Sequence, residues 1–484
     1  MKKLFACTLM LLAVSPSFAA DANGYQSKYE FPVGNPPACQ QTITVTDAWS
    51  AINWNADVIC IAPGDHRSKG TLTLKSSGTS TKKKWLRLAG SDSIHPVKLQ
   101  FSQMAALSRL TAYDAQHWIV DRLTFYPSGG IEALHLGNCD YCVVNRVLID
   151  GQDSNNVQIV RYKYSGSNQT EHSTLQNSVI RNTGKAAAKD VTCLNFGGTD
   201  NRIVNNEIYN CGGDGIVLNI GSRPFQTKVE NNDIYQTSAY LIGCDGKPGT
   251  TCNCGEDGID VKDHDTTDPA NASEIIHNRF WGWRRTYPAC SGTGSEGFAV
   301  NVGGDVAKRF VLVKDNIIAS VSNGVNLRSN TSDWSIIGNL FYDVNHADGT
   351  YSDAVRFAHS GNHQMYLNSV VDARHGLWVE GDGMNNDLRC NVFVNVQHIT
   401  HTSSPVWGAG STADYNAFYN TSPFRWASNP DHSLVYQRAS DAQALPYCYY
   451  RKLLTGREQV CVPNVRPTAS SPHHKQCNTE LRGL

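Results

Sequence analysis

One short pattern, an asparagine followed by alternating apolar residues, returns along most of this chain and limits its possible folds more than any other feature. It appears at Asn145-Arg-Val-Leu-Ile, Asn177-Ser-Val-Ile, Asn206-Glu-Ile-Tyr, Asn232-Asp-Ile-Tyr and Asn278-Arg-Phe. It continues at Asn316-Ile-Ile, Asn339-Leu-Phe, Asn368-Ser-Val, Asn391-Val-Phe and Asn416-Ala-Phe. Successive gaps are 32, 29, 26, 46, 38, 23, 29, 23 and 25 residues. A period in the twenties with occasional insertions is the signature of a solenoid of short strands. Period-two alternation and β-branched residues exclude a helical repeat. The fold class expected is all-β: a single-stranded right-handed parallel β-helix whose asparagines hydrogen-bond as a ladder from coil to coil.

A second pattern interleaves with the first, a small residue opening a strand at Gly215, Gly258, Gly297, Gly324, Ala354 and Gly376. Positions two and four after each opening should point outward. Down the stack these are Val217/Asn219, Asp260/Lys262, Ala299/Asn301, Asn326/Arg328, Arg356/Ala358 and Trp378/Glu380. Just before the openings stand Asp214, Asp257, Glu296, Asn323 and Asp353. Neighbouring coils lie about 4.8 Å apart, so Lys262 and Arg328, two coils apart, would be separated by roughly 10 Å and could touch one bound sugar chain. The two longest gaps in the asparagine series flank this region and carry Trp281, Trp283 and Tyr287, aromatics suited to walling a cleft. Loop drift without function is the alternative.

The flanks of the repeat read as caps. Thr46 to Trp54 can form an amphipathic helix that plugs the first coil, as a raw sheet edge requires. The divisions expected are a signal peptide at 1–20, an N-terminal cap and first coils at 21–110, the β-helix at 111–436 and a disulfide-stapled cap or tail at 437–484. The first segment has two lysines, an apolar run and small residues ending at Ala20, the order of a secretory signal cleaved near that residue. The mature protein is therefore expected in the periplasm or outside the cell. No later apolar stretch is long enough to span a membrane. Setting aside Cys7 from the 15 cysteines leaves an even 14, which in an oxidising compartment means disulfides. Cys39/Cys60, Cys193/Cys211 and Cys448/Cys461 are plausible local pairs. Cys139-x-x-Cys142 with Cys252-x-Cys254 is the nearest approach to a zinc pattern and lacks its spacing. A net charge of −1 supplies no field that would draw nucleic acid or an anionic membrane. A monomer is expected.

The densest polar element is Glu256-Asp257-Gly258-Ile259-Asp260-Val261-Lys262. With Asp214 one coil away, Glu256, Asp257 and Asp260 make an oxygen-rich set that suits calcium, since four acids without a cation would repel one another. The bland alternative is an Asp/Gly turn followed by a surface Asp260–Lys262 pair worth under ~1 kcal/mol.

These residues resemble the β-helical pectate lyases of polysaccharide lyase family 9. Glu256-Asp257-Gly258-Ile259-Asp260 is similar to that family's calcium motif, and Asp214 to its ligand on the preceding coil. Gly297-Phe298-Ala299-Val300 is similar to its catalytic segment, with Ala299 where the family has its lysine. A register one coil later would put Glu296 in the calcium motif and Asn326 at the lysine position, and also lacks the base. The resemblance covers roughly residues 200–330. Sixth-family lyases, which act on alginate or chondroitin, are another β-helical relative, although their full signature is absent. The resemblance implies an anionic polysaccharide as partner and calcium-assisted β-elimination as reaction. A lysine base must first be neutral, against a reference pKa of about 10.4. Lys262 is the lysine of the outward row and is the expected catalytic residue. Arg328 and Arg356 would neutralise uronate carboxylates, with Asn301, Asn326 and Trp378 as further substrate contacts. Two other readings stay open: a non-catalytic carbohydrate-binding or adhesion β-helix, and an inverting glycosidase using Asp257 and Glu296.

Overall fold

In the computed structural model the described residues are 36–90, 103–127, 132–154, 158–162, 169–184, 191–219, 223–237, 255–284, 297–303, 307–328, 330–345, 352–358, 361–380, 385–402, 411–414, 416–419, 434–436, 444–453 and 456–465. Among them the chain winds as a right-handed parallel β-helix. Three parallel sheets of 14, 12 and 14 strands run the length of the cylinder, each coil adding one strand to each sheet. The middle one carries the small-residue strands. Its ladder passes from Thr71–Leu74 through Ile216–Leu218, Asp257–Val261, Phe298–Asn301 and Asn323–Leu327 to His398–Thr402.

Alternation in these strands puts one side chain in two inside, and parallel pairing without slippage stacks like on like. One interior row reads Leu134, Val160, Leu194, Ile216, Ile259, Val300, Val325, Val355 and Leu377, each level with the next and all buried. Burial of such a side chain contributes roughly 1.5–3 kcal/mol. A parallel row of small residues lies beside it: Gly215, Gly258, Ala299, Gly324, Ala354 and Gly376. Close packing explains them. A Cβ at Gly258 would stand 2.6 Å from the Ala299 carbonyl oxygen and 2.8 Å from Phe280 Cδ1.

The asparagine ladder forms, in a phase of its own. From Asn206 through Asn232, Asn278, Asn316, Asn339, Asn368 and Asn391 to Asn416, each side-chain amide donates to the Oδ1 of the next at 2.9–3.1 Å. The same Oδ1 accepts the backbone N–H of the preceding member, and the amide also donates to a carbonyl one coil back. Asn145 and Asn177 stand in a neighbouring row, where Asn177 donates to Asn145 at 3.0 Å. Ser178 occupies the ladder position above Asn206. The residues just before ladder members, Asn205, Asn231, His277, Asp315, Gly338, Leu367 and Cys390, have φ between 53° and 68°. That left-handed corner is costly for a residue such as Leu367, and the buried amide bonds beside it offset the cost.

The expected N-terminal helix does not form. Residues 46–54 contain a single 3₁₀ turn, Trp49–Ala51. Side chains intercept the backbone groups a helix would use: Gln41 donates to the Ala51 carbonyl at 2.8 Å and accepts the Asn53 N–H at 2.7 Å, while Asp47 accepts from the Thr44 N–H and hydroxyl. Ile52 and Ala56 are buried as part of the hydrophobic core. At the other end, Ala444–Leu453 and Gly456–Val465 pair as an antiparallel hairpin with Cys448 opposite Cys461. Cys39–Cys60 and Cys193–Cys211 are disulfides as the spacing predicts, and Cys139–Cys142 is a third. Such bonds persist in oxidising compartments. Among the described residues no helix is long and apolar enough to cross a membrane. The signal segment 1–20, Cys252, Cys254, Tyr287, Glu296 and the tail beyond 465 lie outside the described residues.

Each ladder amide satisfies several buried groups at once, so truncating one strands them all. Asn316→Ala is expected to cost about 2–4 kcal/mol, against under ~0.5 kcal/mol for the exposed Lys314→Ala. Urea unfolding of the two variants beside the wild type measures the difference.

Candidate functional site

The Asp257–Val261 strand is where the outward face becomes chemical. In a regular strand positions three apart face opposite ways, yet the carboxylates of Asp257 and Asp260 come together with that of Asp214, all three buried and each offering an oxygen within 4.8 Å of the others. Gly215 and Gly258 lie level in adjacent coils, stacking Asp214 on Asp257, and Asp257 and Asp260 pair in register with Phe298 and Asn301 of the next coil, whose Asn301 side chain bonds back to Asp257.

Donors account for two of the three acids. Asp257 accepts from the Phe298 N–H at 3.2 Å and from Asn301 Nδ2 at 2.7 Å. Asp260 accepts from the Gly303 N–H at 2.9 Å and pairs with Lys262 Nζ at 3.1 Å. Asp214, only 1 % exposed, has no hydrogen-bond partner on either oxygen. Burial is the main reason its carboxyl is pushed well above the ordinary range, with repulsion from Asp260, Asp257 and Glu256 adding to it. Burial likewise raises Asp257 and Asp260; Asn301 partly opposes the shift at Asp257 and Lys262 that at Asp260. A buried carboxylate cluster with an orphaned member is a site for either a shared proton or a cation. An all-oxygen donor set of this charge suits a hard divalent ion, and the residues present fit one.

The remaining sequence-derived candidates fall into a line. Asp260, Asn301, Asn326, Arg356 and Trp378 stand level in consecutive coils. Asn326 donates to Asn301 at 2.7 Å, and Asn301 to Asp257, so three coils are wired to the cluster. The Arg356 guanidinium lies over the Trp378 ring, 3.9 Å from its centroid, an arrangement that holds the cation flat. Glu256 is half-buried at the rim. Continuing the strand register sets Lys262, Gly303 and Arg328 in a parallel row, and Arg328 adds positive potential at Asp260. A Cβ at Gly303 would stand 2.8 Å from Asp260 Oδ1, so a side chain there would have to displace that carboxylate. The glycine's missing side chain leaves room between the two cations.

Two expectations are corrected, and a third falls outside the described residues. Ala299 is fully buried in the small-residue row, level with Gly258, because Phe298 pairs with Asp257 and Val300 with Ile259. Its place in the outward row is taken by Asn301, so the alanine marks no vacant base position. Trp281 and Trp283 do not wall a cleft: Trp281 stacks on Tyr235 at 4.2 Å, and Trp283 is fully buried with its indole N–H on the Ile234 carbonyl. Glu296, the partner required for the paired-carboxylate reading, lies outside the described residues. Sequence reasoning missed Gly303, whose signal was a glycine two residues after Asn301. It also missed the Asp353–His375 pair at 3.0 Å, which lay in the series of polar residues preceding the strand openings.

No family model matches the sequence, and no curated protein matches it. Among solved structures, the chain is similar to a mannuronic acid-specific family 6 polysaccharide lyase from the human gut microbiota, with 15% identity, 83% of each chain covered and a TM-score of 0.51. It is also similar to a family 6 polysaccharide lyase from Pseudopedobacter saltans, with 14% identity, 82% of this chain and 93% of that one covered and a TM-score of 0.47. A surface adhesin of Streptococcus pneumoniae follows, with 12% identity, coverage of 84% and 91% and a TM-score of 0.37. The resemblance to ninth-family pectate lyases drawn from the sequence gains no support, since the lyases named here are of the sixth family. At 15% identity the likeness to the first of these bears on the β-helix alone and leaves the chemistry to the residues.

Proposed function

We propose that this chain is an exported polysaccharide lyase that cleaves an anionic, uronate-containing glycan by calcium-assisted β-elimination. One observation carries the reading: a buried triad of carboxylates, with both Asp214 oxygens unpartnered, beside a row of cations on an outward sheet face. Asp214, Asp257 and Asp260 would hold the ion, with Glu256 at the rim. When bound, calcium would neutralise the cluster and polarise a uronate carboxylate, acidifying the neighbouring proton. Lys262 would accept that proton. Arg328, across the gap left by Gly303, and Arg356 would bind sugar carboxylates through their planar forks. Asn301 and Asn326 would donate to hydroxyls, and Trp378 would hold Arg356 in place.

A second reading is favoured by a specific contact. Lys262 is engaged by Asp260 at 3.1 Å, as suits a carbohydrate-binding β-helix that retains a cation site without a base. Absorbance of the unsaturated product from a uronate polymer separates the two. Lys262→Ala is expected to lower turnover about 10²- to 10⁴-fold, the usual size of a general-base contribution, while calcium titration of the variant still shows binding. Wild-type protein that binds the polymer without releasing unsaturated product would leave the binding reading standing.

The cation has its own test. In chelator, native Asp214, Asp257 and Asp260 keep protons that the unfolded chain has already released, because burial and mutual repulsion raise them. More protons on the native state mean that their contribution to stability declines as pH rises from the ordinary carboxylate range through the raised values. Asp214→Asn is expected to flatten that decline. Calcium at a hundredfold excess over its dissociation constant should stabilise the wild type by about 2.7 kcal/mol and the variant by much less. Thermal melts from mildly acid to mildly alkaline pH, with and without calcium, read both effects.

A further inference from the structure

The outward row that contains Asp260 continues toward the N terminus through Val217, Asn195, Arg161 and His135, each level with the next. Four coils from Asp260, about 19 Å along the same sheet face, a second polar cluster is assembled. Arg109 Nη2 donates to Glu132 Oε2 at 2.9 Å, and Arg161 Nη1 donates to Glu132 Oε1 at 3.3 Å, so one carboxylate serves guanidiniums two coils apart. His135 Nδ1 lies 4.0 Å from Glu132 Oε1 and 3.1 Å from the Tyr113 hydroxyl. The Tyr113 ring meets the imidazole edge-on, its centroid 5.1 Å away, and remains 38% exposed.

Two features of this cluster exceed what an internal ion pair needs. Arg109, Arg161 and Glu132 together carry a net positive charge, and the Nε of each arginine is buried with no hydrogen-bond partner. Burial would raise the Glu132 carboxyl, but its own backbone N–H, His135, Arg109 and Arg161 together hold it below its usual value, keeping it an anion between two forks. The second feature is the exposed aromatic beside them. Guanidiniums that match a planar carboxylate, an imidazole and an open tyrosine ring are the groups that recognise an acidic sugar.

We infer that Arg109, Arg161, His135 and Tyr113 form a distal subsite that binds the carboxylate and ring of an acidic sugar in the same glycan chain that reaches the Asp214–Asp257–Asp260 site. The inference rests on the anionic-glycan reading and deepens it: the ligand is a polymer long enough to span both clusters, and short fragments engage only one. Glu132 occupies the guanidiniums in the absence of ligand and competes with the incoming carboxylate. Removing its charge should therefore tighten binding, whereas a purely structural ion triad would gain nothing from the change.

Affinity electrophoresis in gels containing polygalacturonate, alginate or neutral dextran tests this, with melting temperature as the control for folding. Arg109→Gln/Arg161→Gln is expected to weaken retention by one or both polyuronates about tenfold or more, as loss of charge-assisted contacts does. Glu132→Gln is expected to strengthen it several-fold, and dextran should retain none of the proteins. Glu132→Gln binding equal to or weaker than wild type, or a folded double variant that binds like wild type, overturns the subsite. So does a wild type that neither polyuronate retains. Binding that responds to both variants without release of unsaturated product overturns the lyase reading and leaves the subsite standing; product release with binding insensitive to the variants does the reverse.

Discussion

The asparagine ladder is the interaction on which the rest of this structure depends. Backbone pairing within three parallel sheets would tolerate a slip of one coil against the next, and any slip by one residue would turn an interior row outward. An amide that must donate both to its successor and to a carbonyl one coil behind removes that freedom. From Asn206 to Asn416 it pins each turn at the same phase, although the intervening lengths range from 23 to 46 residues. Insertions can therefore accumulate in the turns without moving the strands. The left-handed corners beside the ladder, even at Leu367 and Cys390, show local conformational preference yielding to this buried hydrogen bonding.

Coherent rows are what allow a few coils to carry chemistry. Asp214 and Asp257 stack because Gly215 and Gly258 are level, Phe280 and the next coil leave no room for a side chain at Gly258, and Asp260 lies within reach of both acids. The resulting arrangement works against folding: three buried carboxylates repel one another, and one of them has no donor. The surrounding donors, Asn301, Gly303 and Lys262, each answer one of the other two acids. A scaffold held rigid from end to end can sustain such a concentration of like charge where a looser sheet would open.

Much of the cluster was legible in the order of residues because its parts repeat at the coil period. Asp214 and Asp257 each precede a glycine-opened strand, and Lys262 and Arg328 share a row. Where two positions satisfied the same rule, the sequence was silent. Gly297 and Ala299 are both small, and only the pairing of Phe298 with Asp257 assigns the alanine to the interior. Asn177 and Ser178 are adjacent and both polar, and the ladder takes the serine. Trp281 and Trp283 look like loop aromatics next to a long insertion, but their rings find a tyrosine stack and the core. Arg109, Glu132 and Arg161 are 23 and 29 residues apart, and nothing local to any of them signals that one carboxylate will serve both guanidiniums.

The sequence by itself determined the class of fold, the alternation that separates inside from outside, and the approximate spacing of acids and cations along the coils. Those properties follow from periodicity and from the chemistry of single side chains, which a linear string records. The tertiary structure alone decided the phase of each coil against its neighbours, and hence which small residue is interior and which asparagine faces out. It also decided that the Asp214 oxygens are left without donors. Phase is set by packing and hydrogen bonds between residues more than twenty positions apart, and the energy of those contacts depends on ångström-scale fit that no residue carries on its own.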